Sequence, residues 1–145
     1  MIVVDASVAA KWLFPEEHSD KALALVTAAL TARERIVAPP LLSIEVANIL
    51  RQRMRRTGFT LAQALDLVGR FQEIPVTTHS PTGLAQRALT VADQYQLPAV
   101  YDAYYVALAE TLGSDLWTDD QRLLRAVGDK LPFVRWIGDY ETPQP

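Results

Sequence analysis

The chain has 145 residues, of which 50% are hydrophobic and 21% charged; this fits one globular domain and excludes disordered and fibrous classes. It contains no cysteine, so disulfides, thiol nucleophiles, thiolate zinc sites and iron–sulfur clusters are excluded. A formal net charge of −3 argues against a protein that coats nucleic acid, so any such contact requires a local basic patch.

The first half of the chain predicts short strands alternating with helices. Residues 2–4 form a β-branched apolar run that predicts a buried strand, and residues 36–38 form a second one. The breaks come at Pro15, at Pro39-Pro40 and at Gly58. Helices are predicted over residues 6–14, 19–33, 41–57 and 60–71.

The second half continues the alternation. Strands are predicted at residues 75–77, 116–118 and 133–137, and helices over residues 81–95, 101–112 and 121–127. This order predicts an α/β fold with a mainly parallel central sheet flanked by helices, in which sites form at the carboxyl ends of strands. We expect one domain over residues 1–140 and a frayed tail over residues 141–145.

Four carboxylates lie at positions where a charged side chain is energetically unfavourable. Asp5 and Asp120 each follow a predicted strand, while Glu45 and Asp102 lie on helix faces that otherwise carry apolar residues. A carboxylate on such a face costs several kcal/mol unless a cation or hydrogen bonds compensate it. Four of them suggest a shared cation, and oxygen ligands favour Mg²⁺ or Mn²⁺. The chemistry that follows is metal-assisted phosphoryl transfer.

Each acid also has an ordinary structural explanation. Asp5 could cap the helix that follows it, and Asp119 or Asp120 could cap the helix at residue 121. Asp102 is favoured by the dipole of its helix. A buried pair with an arginine could account for Glu45. The residues alone leave both explanations open.

The acids lie in four segments with a characteristic setting. These segments are Ile2-Val3-Val4-Asp5-Ala6-Ser7, Leu42-Ser43-Ile44-Glu45-Val46-Ala47-Asn48, Tyr101-Asp102-Ala103-Tyr104-Tyr105 and Leu116-Trp117-Thr118-Asp119-Asp120. In this order and spacing they resemble the motifs of the PIN-domain ribonucleases, specifically the VapC-type toxins of toxin–antitoxin pairs. The resemblance runs over nearly the whole chain.

The resemblance implies a sheet sandwiched by helices, with the four acids lining one pocket. Asp5 and Asp102 match the main ligands of Mg²⁺ or Mn²⁺. Glu45 and Asp120 match acids that bind a second metal or position water. The family also implies an RNA substrate, a homodimer and a cognate VapB-type antitoxin.

Three neighbours of the acids complete this picture. Ser7 and Thr118 match small hydroxyl residues that would hold the acids in place. Asp119 is a departure, because many relatives have a neutral residue there. We expect Asp119 to cap the helix at residue 121 rather than to add charge to the pocket.

A basic stretch provides the candidate RNA contacts. Arg51, Arg53, Arg55 and Arg56 lie within six residues, and arginine binds phosphate with two hydrogen bonds. A solvated helix end favoured by the helix dipole explains the same stretch equally well. Lys11 is a further candidate to face phosphate.

Two functions of different class remain. The first is a Mg²⁺- or Mn²⁺-dependent endoribonuclease toxin, and the second is a non-catalytic PIN-like module that binds RNA or protein. The presence of all four acids favours the first, because a binding module has no need to crowd like charges. A DNA-acting nuclease is a third possibility. The apolar runs are too short to span a membrane and the first residues lack a basic signal-peptide start, so we expect a cytoplasmic protein.

Overall fold

The computed structural model describes residues 1–142, and its centre is a five-stranded parallel sheet. The strands are β1 Ile2–Val4, β2 Ile36–Ala38, β3 Val76–Thr78, β4 Asp115–Thr118 and β5 Val134–Trp136. Their order is β3-β2-β1-β4-β5, and every neighbouring pair is parallel. The predicted α/β fold with a parallel sheet is therefore confirmed.

Within residues 1–142, seven α-helices connect and cover the strands. They are α1 Ala6–Ala9, α2 Ser19–Thr31, α3 Leu41–Thr57, α4 Leu61–Glu73, α5 Leu84–Gln94, α6 Tyr101–Leu112 and α7 Gln121–Val127. Short 3-10 turns follow α1, α7 and β5, at Ala10–Trp12, Gly128–Lys130 and Ile137–Asp139. The helix predicted over 81–95 begins three residues later, because Gly83 adopts the left-handed conformation at φ 83° just before it.

Strand β1 lies in the middle of the sheet and is buried on both of its faces. Val3 packs into a core cluster with α3, α5 and α6, whereas Ile2 and Val4 pack into a second cluster with α2. This alternation follows from the two-residue period of a strand. Since β1 lies between β2 and β4, the residue after Val4 lies at the centre of the carboxyl edge of the sheet.

The end of the chain is described only in part. The tail predicted to fray, 141–145, lies largely outside the described residues, which end at Thr142. Among residues 1–142, no helix has both the length and the apolar character that crossing a membrane requires.

Candidate active site

Asp5 follows β1 and is buried, with 4% of its surface exposed. Its Oδ1 accepts hydrogen bonds from Ser7 Oγ at 2.6 Å and from the backbone N–H of Val8 at 3.1 Å, and its Oδ2 accepts one from Thr118 Oγ1. Burial raises the pKa of Asp5 to about 7, although these hydrogen bonds oppose the rise; the charge of Asp102 adds to it. Asp5 therefore caps α1 and also carries a charge that the protein does not fully compensate.

Asp120 lies beyond the carboxyl end of the neighbouring strand, β4. Its Oδ1 caps α7 by accepting hydrogen bonds from the backbone N–H groups of Arg122 at 2.9 Å and Leu123 at 3.3 Å. Its own N–H donates to Thr118 Oγ1 at 2.9 Å, so the Thr118 hydroxyl joins Asp120 to Asp5. Among residues 1–142, the other carboxylate oxygen of Asp120 has no hydrogen-bond partner and is available to a ligand.

Glu45 and Asp102 approach the same edge from helices. Glu45 lies in the second turn of α3, where its Oε1 accepts a hydrogen bond from the hydroxyl of buried Tyr105 at 2.8 Å. Asp102 lies in the first turn of α6. Burial raises the pKa of both carboxyls; the charge of Asp120 raises both further, and that of Asp102 raises Glu45. Asp102 is thus within electrostatic range of the other three predicted acids, and Glu45 is also within range of Asp120.

Asp119 does not cap α7, so that expectation is wrong; the cap is Asp120. The Asp119 carboxylate instead lies 2.8 Å from Lys11 Nζ and accepts a hydrogen bond from Trp136 Nε1 at 2.8 Å. Burial alone would raise the pKa of Asp119, but the hydrogen bonds from Lys11 and Trp136 outweigh it and hold the pKa below its ordinary value. Asp119 is compensated by the chain's own cation, and so it differs from the four pocket acids.

The basic residues fall into two groups. Lys11 is buried, at 6% exposed, and its ammonium contacts Asp119 and Glu16. The guanidinium of Arg53 lies 3.7 Å from the centre of the Phe14 ring and 4.0 Å from Glu16. The arginines whose side chains are exposed on the last two turns of α3 are Arg51, Arg55 and Arg56.

The donor chemistry of the pocket suits a hard divalent cation. All four acids offer carboxylate oxygens, and within residues 1–142 none of them forms an ion pair with a basic side chain. In the same part of the chain, no three carboxylates or imidazoles stand close enough to surround one ion by themselves. Mg²⁺ keeps several of its waters and is usually bound through one or two carboxylates, so the acids fit such an ion with water completing its coordination.

Sequence reasoning missed two parts of the site. Tyr105 is not among the predicted site residues, yet its hydroxyl orients Glu45. Its position three residues after Asp102, on the same helix face, was the available signal. The contacts of Lys11 with Asp119 join residues that lie far apart in the sequence and had no local signal.

Comparison with known proteins gives consistent results. The PIN domain family matches residues 2–129. The chain is 35% identical over 125 residues to the Ribonuclease VapC3 of Mycobacterium tuberculosis, covering 86% of each protein. It is 34% identical over 124 residues to the Ribonuclease VapC3 of Pyrobaculum aerophilum, covering 84% of this chain and 91% of that one. The crystal structure of PAE2754 from Pyrobaculum aerophilum shares the fold, with a TM-score of 0.66 and 24% identity over 94% of this chain and 89% of that one.

Proposed function

The chain belongs to the PIN-domain family and to its VapC members, and from this premise we propose that it is a metal-dependent endoribonuclease, the toxin of a toxin–antitoxin pair. The observation that carries the proposal is the group of acids at the carboxyl edge of the sheet, none of which forms an ion pair with a basic side chain within residues 1–142; burial raises the pKa of Asp5, Glu45 and Asp102. Crowded acids without a basic partner are unfavourable in a purely structural role. A divalent cation that compensates their charge and binds a phosphodiester substrate would account for them.

In the proposed mechanism, Asp5 and Asp102 are the residues that would hold Mg²⁺ or Mn²⁺. When bound, such an ion supplies positive charge that lowers the pKa of a water molecule and offsets the charge that develops on the phosphate. Glu45 and Asp120 would either contribute oxygens to a second ion or accept hydrogen bonds from a water molecule and so orient it. The free oxygen of Asp120 suits this task, because the other oxygen is already used by the helix cap.

Three hydroxyl groups keep these acids in place. Ser7 and Thr118 bind opposite oxygens of Asp5, so its carboxylate cannot rotate without losing a hydrogen bond. Tyr105 does the same for one oxygen of Glu45. Such outer partners orient metal ligands and are worth about 10- to 100-fold in metal affinity or activity.

The RNA strand is proposed to run along α3. A cleft of about 400 Å³ beside this helix is lined by Ile49, Arg53 and Arg56. Ile49 lies four residues after Glu45 on the same helix face, so the cleft extends away from the acidic pocket. Lys11 is left out of this path because its ammonium is occupied by carboxylates. The residues proposed to contact RNA phosphates are Arg51, Arg53, Arg55 and Arg56.

The biological setting follows the VapC relatives. We propose a VapB-type antitoxin and a second copy of the chain as protein partners, and the cytoplasm, where RNA is available, as the place of action. The proposed PIN domain spans residues 1–140, beyond the family match at residues 2–129, because β5 completes the sheet beside β4.

The test uses antitoxin-free protein and total RNA, with and without Mg²⁺ or Mn²⁺. Discrete fragments that require the metal and disappear in Asp5→Asn and Asp102→Asn are expected. Asp66→Asn is the matched control, because Asp66 is exposed and its partner, Arg70, lies on the same helix, α4. If RNA stays intact and calorimetry detects no metal binding, the nuclease proposal is wrong and a binding module becomes the better explanation.

A further inference from the structure

A partly buried ion pair, between Lys11 and Asp119, lies beside the acidic pocket, and the proposed chemistry does not use it. We propose that Asp119, paired with Lys11, is a positioning residue that fixes the loop between β4 and α7 and thereby aims Asp120 into the pocket. This inference rests on the proposed function, since it concerns the same site.

Asp119 is anchored from three separate elements. Its backbone N–H donates to Ser7 Oγ of α1 at 2.8 Å. Its two carboxylate oxygens reach Lys11, in the 3-10 turn after α1, and the indole N–H of Trp136, at the end of β5, each at 2.8 Å. Lys11 is in turn held by Glu16 at 3.3 Å. The loop is thus attached on both sides of β4.

The indole of Trp136 is itself confined to one position. Its six-membered ring lies so close to Gly138 that any side chain at residue 138 would collide with it. On another side the ring makes an edge-on contact with the His18 ring, with 5.2 Å between centroids. Packing therefore directs the Trp136 N–H at Asp119. Residues that support a functional site are typically held in one rotamer by such packing.

A stabilising role alone does not account for this ion pair. Lys11 is 6% exposed and the Asp119 side chain 17% exposed, and a buried pair is often no more stabilising than an apolar pair of similar volume. The pair between Asp115 and Arg135, at 2.9 Å, joins β4 to β5 from an exposed position at the opposite end of β4. The buried pair is distinguished by its position next to Asp120.

The anchoring reaches two pocket acids through short connections. Asp119 is bonded to Asp120 through one peptide unit, and the N–H of Asp120 is fixed by Thr118. Ser7, which accepts from the N–H of Asp119, donates to Asp5. Loosening Asp119 is therefore expected to misplace Asp120 and to weaken the hold on Asp5.

The test compares Asp119→Asn, Lys11→Met and Lys11→Arg in the full chain, with Asp115→Asn as the matched control. The probe is Mn²⁺ binding to the metal-free protein by calorimetry. Positioning predicts that Asp119→Asn and Lys11→Met both weaken Mn²⁺ binding about 10- to 100-fold, because both release the loop. Lys11→Arg, which keeps the charge, is expected to stay close to wild type. If Lys11→Met does not fold, the double variant Asp119→Asn/Lys11→Met replaces it in the comparison. This variant removes both charges of the pair, so neither is left without its partner.

The direction of the change in Mn²⁺ affinity distinguishes a positioning role from simple electrostatics. Removing a negative charge near the pocket weakens cation binding, whereas removing a positive charge strengthens it. Tighter Mn²⁺ binding by Lys11→Met would therefore overturn the proposal, as would a change below twofold in Asp119→Asn. RNA cleavage by Asp119→Asn is expected to lose kcat at an unchanged KM.

A second readout keeps the inference distinct from the proposed function. Hydrogen exchange at the amides of Asp120, Arg122 and Leu123 in metal-free protein reports the anchoring without any catalysis. Exchange at least tenfold faster in Asp119→Asn, but not in Asp115→Asn, supports the anchoring even if wild type neither cleaves RNA nor binds Mn²⁺. Unchanged exchange overturns it.

Discussion

Replacing Asp5 by Asn is expected to stabilise the metal-free protein at alkaline pH while abolishing activity. Burial raises the pKa of Asp5 from 3.8 to about 7. In the unfolded chain the carboxyl ionises near 3.8, but in the folded protein it ionises only near 7. As pH rises through this window the unfolded state is increasingly favoured, so the stability present at low pH is lost by about pH 7.

The magnitude follows from the size of the shift. About three pKa units at roughly 1.4 kcal/mol each amount to about 4 kcal/mol above pH 7. The Asn amide cannot accept from both Ser7 and Thr118 as the carboxylate does, which costs about 1 kcal/mol. The net gain of about 3 kcal/mol corresponds to a rise of roughly 10 °C in melting temperature for a domain of this size. Near pH 5 the stability gained by removing the charge and the stability lost with the hydrogen bond nearly cancel.

The assay is thermal unfolding of wild type and Asp5→Asn between about pH 5 and pH 8 in a chelator. The difference in melting temperature is expected to grow with pH, whereas Asp66→Asn on the surface of α4 stays parallel to wild type. Adding Mn²⁺ at about 100 times its Kd should return about 3 kcal/mol to wild type alone. An Asp5→Asn protein that is less stable than wild type at pH 8, or a difference independent of pH, would refute the reasoning.

Two further substitutions test the outer parts of the site. Tyr105→Phe removes the hydroxyl that orients Glu45, and we expect kcat of RNA cleavage to fall about tenfold with little change in KM; unchanged kcat would assign the tyrosine to packing alone. Arg56→Gln, in the inactive Asp102→Asn background, is expected to lower RNA affinity and to reduce the slope of log K against log salt by about 1. Arg70→Gln on α4 should leave that slope unchanged, and equal slopes for the two variants would remove α3 from the RNA path.

The parts of the fold that could be predicted are those determined by local sequence. The β-branched run at residues 2–4 and the breaks at Pro39-Pro40 and Gly58 mark their elements directly, and α3 over 41–57 has the predicted bounds. A parallel sheet then brings the residues after its strands to one edge, which makes the proximity of Asp5 and Asp120 predictable.

The parts that could not be predicted depend on contacts between distant residues. Asp119 and Asp120 both follow β4 and both suit a helix cap, and what separates their roles is the contact of Asp119 with Trp136 and the position of Lys11 beside it. That position depends on how α1 and its 3-10 turn pack, for which the sequence has no local pattern. The hydroxyl of Tyr105 reaching Glu45 across 60 residues is a case of the same kind.

The central position of β1 has a consequence for the order in which the protein is made. Asp5 is synthesised before Thr118, which binds its carboxylate and comes 113 residues later. At about 5–20 residues per second, a ribosome needs roughly 6 to 23 s to add that stretch. Until β4 emerges and pairs with β1, a nascent chain carries isolated acids and no pocket. We therefore expect a nascent chain, or one released before β4, to lack nuclease activity toward the RNA that encodes it.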